Sequence, residues 1–252
     1  MSTFKPKLSI LPAAQKRLWP ELRAAADLGL VLYGGTSVVL RLGHRRSVDF
    51  DFFSDSDLDR TALTHAFAFI KSATVLQDEP NTLTLSVPMK TGPVKVSFFG
   101  GIKFGRYRDP EFTDDGVLLV ASLDDLMGTK VKTILQRVES KDYKDIAAMV
   151  EAGVDLSRGL AIARAMFGNA FQPAVALKTL TYFEGGDLQT LTAADKQLLV
   201  SAAANVGDLP EVHRISDNLA VPRPSTTPQQ AVPGDNKAKA KRGRGLAPRT
   251  RS

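Results

Sequence analysis

Cysteine is absent from the 252-residue sequence, which excludes disulfide bridges, thiolate zinc sites and a cysteine nucleophile. The only histidines are His44, His65 and His213, so a histidine-rich metal site is not expected. No apolar run approaches the roughly 18 to 20 residues that span a bilayer. Residues 1–7 are not followed by the apolar stretch of a secretory signal. We therefore expect a cytoplasmic protein without a membrane partner.

The net charge of +6 is concentrated at the C-terminal end of the sequence. Residues 221–252 contain eight basic side chains and one acidic, whereas residues 1–220 contain 25 basic and 26 acidic. Burial cannot offset the ordering entropy of a segment with so few large apolar side chains, so we predict a disordered tail. Such a tail either binds phosphate backbones without sequence specificity or only increases solubility, and the lack of aromatic residues favours solubility.

Hydrophobic periodicity divides the rest of the sequence into a mixed region and a helical region, an α+β protein. The predicted strands are 30–33, 47–53, 74–77, 82–87, 94–99 and 117–121. The predicted helices are 11–27, kinked at Pro20, then 36–42 with Thr36 as cap, 58–70, 122–137, 140–150, 155–167, 172–181 and 193–204. We expect three parts: an α/β core over 1–121, a helical region over 122–215 that packs on it, and the tail over 216–252.

A double glycine closes the first predicted strand. Gly34 and Gly35 have no Cβ, so backbone N–H groups at the start of the following helix remain accessible to a phosphate. Thr36 and Ser37 add hydroxyl groups at the same place. A strand-to-helix turn also needs glycine for its backbone angles alone, so this motif by itself is weak.

Two carboxylates separated by one residue lie on the next predicted strand. Asp49 and Asp51 share one face, and Val48, Phe50 and Phe52 share the other, because side chains alternate along a strand. Two like charges this close are unfavourable unless a cation lies between them. Carboxylate oxygens together with substrate phosphates suit Mg²⁺. A solvated strand face is the alternative.

The combination of these features is more specific than either one. The Gly34-Gly35-Thr36-Ser37 turn followed by Asp49-Phe50-Asp51 resembles the signature of the DNA polymerase β-like nucleotidyltransferases. In that superfamily the turn holds the triphosphate and the aspartates hold the metal ion. The longer string from Tyr33 to Ser54 resembles more specifically the AbiEii/AbiGii nucleotidyltransferase toxin family. A second block resembles a later motif of that family and contains Leu123 to Leu126, Lys130, Arg137, Lys141, Asp142 and Asp145.

The second block also has a physical logic of its own. On one continuous helix, Lys130, Arg137 and Lys141 would lie within about 60° of one another, with Asp145 about 40° further round. Such a helix presents a cationic stripe. If Ser140 interrupts the helix, Lys141 and Asp145 still share a face. The alternative is a solvated stripe with an ordinary ion pair.

The resemblance implies a polymerase β-like core, a mixed sheet with flanking helices, and transfer of a nucleoside monophosphate from an NTP to an acceptor hydroxyl. The implied acceptor is the 3′ end of a tRNA or other RNA, with a protein side chain as second choice. The family also implies a toxin with a neutralising antitoxin as partner. In the implied site the nucleotide is bound by Gly34, Gly35, Thr36 and Ser37, and Mg²⁺ is bound by Asp49 and Asp51. Lys130, with Arg137 or Lys141, neutralises charge. Asp145 or Asp142 is the implied general base.

Two features leave the chemistry open. Many polymerase β-like enzymes have a third carboxylate on a later strand, where this sequence has Ser97, a poor metal ligand and no base at neutral pH. The alternatives are therefore a catalytically weak nucleotide- or RNA-binding module, or an enzyme that AMPylates or phosphorylates protein.

His44, Arg45 and Arg46 precede the aspartates and either bind phosphate or pair with carboxylates. Arg46 is our nucleotide-binding candidate among them.

Overall fold

The computed structural model describes residues 2–222. Within that range an eight-stranded mixed sheet has the order β1-β7-β8-β2-β3-β6-β5-β4. Its strands are β1 (Thr3–Phe4), β2 (Val31–Tyr33), β3 (Asp49–Phe53), β4 (Thr74–Glu79), β5 (Thr82–Val87), β6 (Val94–Phe99), β7 (Glu111–Thr113) and β8 (Leu119–Val120). The helices are α1 (Ala13–Leu18), α2 (Gly34–Leu42), α3 (Arg60–Ala66), α4 (Leu123–Thr133), α5 (Ser140–Glu151), α6 (Leu156–Phe167), α7 (Pro173–Leu180) and α8 (Ala193–Ala204). This arrangement confirms the predicted α+β class, a mixed sheet with flanking helices.

Strand β3 lies near the middle of the sheet and sets the register of the site. It runs antiparallel to β2, which places Tyr33 opposite Asp51, and parallel to β6, which places Asp51 opposite Ser97. Residues that are paired across neighbouring strands point to the same side of a sheet. Asp49, Asp51 and Ser97 therefore share one face, while Phe50 and its alternating neighbours share the other.

The face that carries Phe50 is fully covered. Phe50 and Phe52 are both inaccessible to solvent, and the Phe52 ring stacks on the Phe98 ring of β6 with centroids 5.6 Å apart. Helices α1 and α3 and the 3₁₀ segment Trp19–Leu28 pack over these rings. This core fixes the strand so that its aspartates point away from it.

The opposite face is covered only in part. Below β2 and β8 the apolar side chains of Val31 and Leu119 pack against the helical region. Below β3, β5 and β6 the same face carries Asp51, Thr84 and Ser97 instead, and it borders an open cleft. The cleft thus lies where the helical cover stops.

The predicted helix 122–137 is wrong in its extent, because α4 ends at Thr133 and α5 begins at Ser140. A turn and a short extended stretch separate the two helices. Ser140 starts α5 by donating hydrogen bonds from its N–H and its hydroxyl to the Asp187 carboxylate, at 2.6 and 2.7 Å. A continuous cationic stripe is therefore not formed.

Three smaller differences concern the α/β region. Helix α2 begins at Gly34 with Tyr33 as its cap residue, so Thr36 lies inside the helix instead of capping it. The predicted helix 58–70 is shortened to α3 because Phe67 adopts extended backbone angles, and a 3₁₀ segment follows over Ala68–Ser72. Val48, predicted to share a strand face with Phe50, is 59% exposed, since it precedes the first paired residue of β3.

The segment that follows α8 runs across the body to residue 222. Arg106 donates hydrogen bonds to the carbonyls of Asn218 and Ala220, and the N–H of Leu219 donates to Asp55 at 2.9 Å. Leu219 is 1% exposed. Residues 216–222, predicted as the start of the tail, therefore pack on the body, and the remainder of that prediction, 223–252, lies outside the described residues.

None of the helices between residues 2 and 222 is both long and apolar enough to cross a lipid bilayer.

Candidate active site

A cleft of about 950 Å³ opens between the uncovered part of the sheet, the start of α2 and the facing ends of α4 and α5. Its lining contains two acidic and seven basic side chains, an excess of positive charge that favours anions. The acidic residues are Asp49 and Asp51. The basic residues are Arg45, Arg46, Lys95, Lys130, Arg137, Lys141 and Lys144.

The glycine turn and the aspartates meet at the edge of this cleft. Because Tyr33 pairs with Asp51, the next residue, Gly34, lies directly against the Asp51 side chain. Gly34 has a φ of +73°, which disfavours other residues, and a Cβ at this position would lie 2.5 Å from Asp51 Oδ2. Backbone angle and close packing both require glycine here. The expected juxtaposition of aspartate and glycine bend is present.

The negative charges of Asp49 and Asp51 repel each other. Burial, followed by the charge of Asp49, raises the pKa of Asp51 above its ordinary value, although Lys95, Lys130 and a hydrogen bond from Ser97 act against this. Neither aspartate belongs to any ion pair within residues 2–222. Two neighbouring carboxylates that face a cleft and form no ion pair favour a bound cation.

The donor set at the aspartates fits a divalent metal ion that shares its coordination with a substrate. Within the described part of the chain, no three His, Cys, Asp or Glu side chains are grouped as metal ligands. Mg²⁺ typically takes one or two carboxylates and completes its shell with water and phosphate oxygens. Asp49 and Asp51 supply the carboxylates that such an ion needs.

Thr36 and Ser37 are present at the turn but face inward. They are 1% and 0% exposed. The Thr36 hydroxyl hydrogen-bonds to the Asp49 carbonyl and to Ser47 Oγ, and the Ser37 hydroxyl donates to the Gly34 carbonyl. In this arrangement the hydroxyls join α2 to β3, and the surface that remains for a phosphate is the backbone of Gly34 and Gly35.

Lys130 of α4 joins the cleft to a buried ion cluster. Its Nζ lies 2.7 Å from Asp142 Oδ1 and 2.6 Å from Asp145 Oδ2, and the residue is 4% exposed. Arg137 also pairs with Asp142 through Nε at 2.8 Å. Burial acts to raise the pKa of Asp142, but Arg137 and Lys130 hold it below its ordinary value. Lys130 is thus fixed by two carboxylates.

Asp145 is the centre of the same cluster. Its Oδ1 contacts His44 Nε2 at 2.7 Å and Arg45 Nε at 2.6 Å, and its Oδ2 contacts Arg45 Nη2 at 2.7 Å. His44 and Arg45 therefore pair with a carboxylate, and that carboxylate is on α5, not on β3. Burial acts to raise the pKa of Asp145, but Lys130, His44 and Arg45 hold it well below its usual range.

These contacts decide what Asp142 and Asp145 can do chemically. Both residues are 0% exposed, neither is among the described residues that line the cleft, and their oxygens already accept hydrogen bonds from cations. A carboxylate with a lowered pKa is a weak base. The geometry therefore favours a role in holding cations over the predicted role as general base.

The remaining predicted residues and two unpredicted ones form the rim. Arg46 and Lys141 line the cleft, and Lys141 Nζ pairs with Glu139 at 2.6 Å. Lys95 and Lys144 also line it but were missed. Lys95 was detectable, because it lies two residues before Ser97 on β6 and must share its face. The position of Lys144 at the cleft could be predicted only if the start of α5 were known.

Comparison with known proteins identifies the family of the chain. The sequence matches the family described as nucleotidyl transferase AbiEii toxin, type IV toxin–antitoxin system, over residues 18–205. It is 28% identical over 156 residues to an uncharacterized protein of Aquifex aeolicus (strain VF5), which covers 61% of this chain and 73% of that protein. It is also similar to the structure of MenT4, a nucleotidyltransferase toxin from Mycobacterium tuberculosis H37Rv, with a TM-score of 0.46 and 14% identity over 77% of this chain and 92% of MenT4.

The family match includes every residue of the cleft described above, from Gly34 to Lys144. The chain therefore belongs to the AbiEii family of toxins and is a nucleotidyltransferase.

Proposed function

We propose that this nucleotidyltransferase moves a nucleoside monophosphate from an NTP to the 3′ hydroxyl of an RNA, with tRNA as the foremost candidate, in a Mg²⁺-dependent reaction. One observation carries the proposal. Asp51 lies against the glycine turn in a cleft whose other lining charges are cationic. This contact supports a metal site and a phosphate site that lie side by side.

The residues of the turn and of β3 bind the triphosphate in this proposal. Gly34 and Gly35 begin α2, and the first N–H groups of a helix have no intrahelical partner and attract anions. Asp49 and Asp51 hold the metal ion. A bound Mg²⁺ would withdraw charge from the phosphate oxygens and orient them for in-line attack. The acceptor hydroxyl attacks the α-phosphorus, and pyrophosphate leaves.

Lys130 is the cation best placed to stabilise the charge that develops during transfer. It reaches the cleft, and it lies close enough to Asp51 to lower the pKa of that residue. Asp142 and Asp145 fix its ammonium group from behind. A preorganised cation in a buried position stabilises a transition state without having to reorganise.

The rim of the cleft supports a polyanionic acceptor. Arg46, Lys141 and Lys144 lie on the rim and are more exposed than Lys130. Exposed cations bind phosphate backbones through counterion release and without sequence specificity. This distribution suits an RNA strand that continues beyond the reacting nucleotide, whereas a protein acceptor has no need of it. The family's toxin–antitoxin context leads us to propose an antitoxin as a further partner.

The proposal is tested by incubating the purified protein with each α-³²P-labelled NTP, Mg²⁺ and total RNA. We expect label in RNA, mainly in the tRNA fraction, and its loss on addition of EDTA. Asp49→Ala and Asp51→Ala should each reduce transfer by about 10³-fold, since each removes a metal ligand. Asp208→Ala, which changes an exposed aspartate outside the cleft lining, is the matched control.

The same assay separates the competing activities. Label in protein from α-³²P-labelled NTP indicates AMPylation or a related modification, and label in protein from γ-³²P-labelled ATP indicates phosphorylation. Transfer to RNA that survives both aspartate substitutions would overturn the metal assignment. Absence of transfer with every NTP and RNA fraction would overturn the RNA acceptor.

A further inference from the structure

The guanidinium of Arg45 is held in a fixed position at the glycine turn. It grips the Asp145 carboxylate with two hydrogen bonds, Nε to Oδ1 at 2.6 Å and Nη2 to Oδ2 at 2.7 Å, and Nη1 donates to the Arg46 carbonyl at 2.8 Å. A bidentate arginine–carboxylate pair fixes the plane of the guanidinium as well as its distance. The group cannot swing away without breaking three hydrogen bonds.

The fixed guanidinium covers the second glycine of the turn. A Cβ on Gly35 would overlap Arg45 Nη2, and Ser47 Oγ would be its next neighbour at 3.4 Å. Gly35 is the second residue of α2, so a cation and the positive end of a helix converge on one point. The Arg45 side chain is 15% exposed, and the residue lines the cleft.

Opposite charges occupy the two halves of the turn. The Asp51 carboxylate lies against Gly34, whereas the Arg45 guanidinium lies against Gly35. The aspartates would hold a metal ion on the Gly34 side of the turn, and Arg45 is available to phosphate oxygens on the Gly35 side. A guanidinium has five N–H donors, of which three are used within the protein, so two remain.

We propose that Arg45 uses these two donors to bind the β- and γ-phosphates of the NTP, and hence the pyrophosphate that leaves. In this arrangement Asp145 is a positioning residue, which acts on the substrate through Arg45 and Lys130. The inference rests on the proposed nucleotide site but makes its own prediction. Affinity for the pyrophosphate portion depends on Arg45, whereas affinity for the metal ion depends on Asp49 and Asp51.

The test measures two ligands separately on the full chain, inorganic pyrophosphate by isothermal titration calorimetry and Mn²⁺ by electron paramagnetic resonance. For Arg45→Gln we expect at least a tenfold loss of pyrophosphate affinity and an unchanged Mn²⁺ affinity. Arg45→Lys should lose nearly as much, because an ammonium group cannot hold a carboxylate and a phosphate in one plane. Arg17→Ala, an exposed arginine of α1, should bind both ligands as the wild type does.

Asp145 is tested by the same two measurements. Asp145→Asn should weaken pyrophosphate binding, and Asp145→Glu should restore part of it. A purely structural role for the cluster predicts a lower melting temperature with unchanged pyrophosphate affinity in the folded protein.

The outcomes distinguish this inference from the proposed function. Wild-type pyrophosphate affinity in a folded Arg45→Gln or Arg45→Lys variant, or no pyrophosphate binding by the wild type, would overturn the role of Arg45. Failure of label transfer to RNA with intact, Arg45-dependent pyrophosphate binding would overturn only the acceptor. If Arg45→Gln does not fold, the charge-conserving Arg45→Lys decides the question.

Discussion

Two pairs of aspartates near the cleft, one on β3 and one on α5, are in opposite electrostatic states. On β3, Asp49 and Asp51 face the cleft without an ion-pair partner, and the pKa of Asp51 is raised by burial and by its neighbour. On α5, Asp142 and Asp145 are buried and pair with Lys130 and other cations, and their pKa values are lowered.

The difference shows that the partners of a carboxylate decide its effect on stability. A carboxylate with cationic partners stabilises the fold, whereas one beside a like charge destabilises it. The α5 pair is satisfied inside the protein and therefore holds cations in place. Among the described residues the β3 pair forms no ion pair, and a ligand that brings positive charge would offset the repulsion between its two carboxylates. Functional sites commonly keep such unfavourable charge while the surrounding structure supplies the stability.

The largest expected effect separates activity from stability at β3. Asp51→Asn removes a metal-ligand charge, so we expect label transfer to fall by about 10³-fold. The same change relieves repulsion from Asp49, so the free energy of unfolding should stay the same or rise. Activity assays and urea denaturation of one preparation check this, and a marked loss of stability would show that the β3 pair is structural.

At α5, in contrast, we expect a large loss of stability. Asp145→Ala leaves Lys130, Arg45 and His44 without a shared anion, and breaking a buried ion pair typically costs about 3–5 kcal/mol. We expect the free energy of unfolding to fall by that amount, measured by urea denaturation, with activity lost as well. Asp195→Ala, which removes the exposed capping partner of Thr192, is a control and should cost only about 1 kcal/mol. Equal costs in the two variants would contradict the comparison.

The pH dependence of stability should carry opposite signs at the two pairs. Asp145 has a lowered pKa, so its contribution is present above the unfolded-state pKa of about 3.9 and is lost as the pH falls. Asp51 has a raised pKa, so it destabilises the fold at neutral pH, and that penalty disappears on acidification. We therefore expect any stability advantage of Asp51→Asn over the wild type at pH 7 to shrink towards pH 4 in urea titrations. A growing advantage would contradict the assignment.

The smallest expected effect concerns the contact between the glycine turn and the aspartates. Gly34→Ala combines a positive φ with a collision against Asp51, so we expect a loss of about 2–3 kcal/mol in the free energy of unfolding. Gly29→Ala has a similar φ of +69° and no atom within 4 Å of the added Cβ, so strain alone should cost about 1 kcal/mol. Equal losses in thermal or urea denaturation would show that Asp51 does not press on the turn.

Local patterns were sufficient to predict most of the α/β region. Alternation placed Asp49 and Asp51 opposite Phe50 and Phe52, because burial of aromatic rings fixes the orientation of a strand. The double glycine predicted a turn before the next helix. That this turn lies beside the aspartates was implied by the resemblance to nucleotidyltransferases, and the roles of these residues stay predictions.

What escaped prediction depends on contacts between distant residues. Two separate helices, 122–137 and 140–150, were predicted, but not the end of α4 at Thr133 or the hydrogen bond of Ser140 to Asp187, 47 residues further along. The role of Arg45 depends on Asp145, 100 residues further along. Residues 216–222 were assigned to the tail although they contain Leu219 and Val221, which are buried; Arg106 also secures this stretch through its backbone carbonyls. Hydrophobic periodicity carries no information on such hydrogen bonds.

The hold of Asp187 on the first turn of α5 has a consequence for the timing of synthesis. The helix that presents Asp142 and Asp145 is anchored by a residue made long after it, and helices α6 and α7 come between the two. A nascent chain that ends before Asp187 lacks these two hydrogen bonds, so the first turn of α5 gains its anchor only late in synthesis.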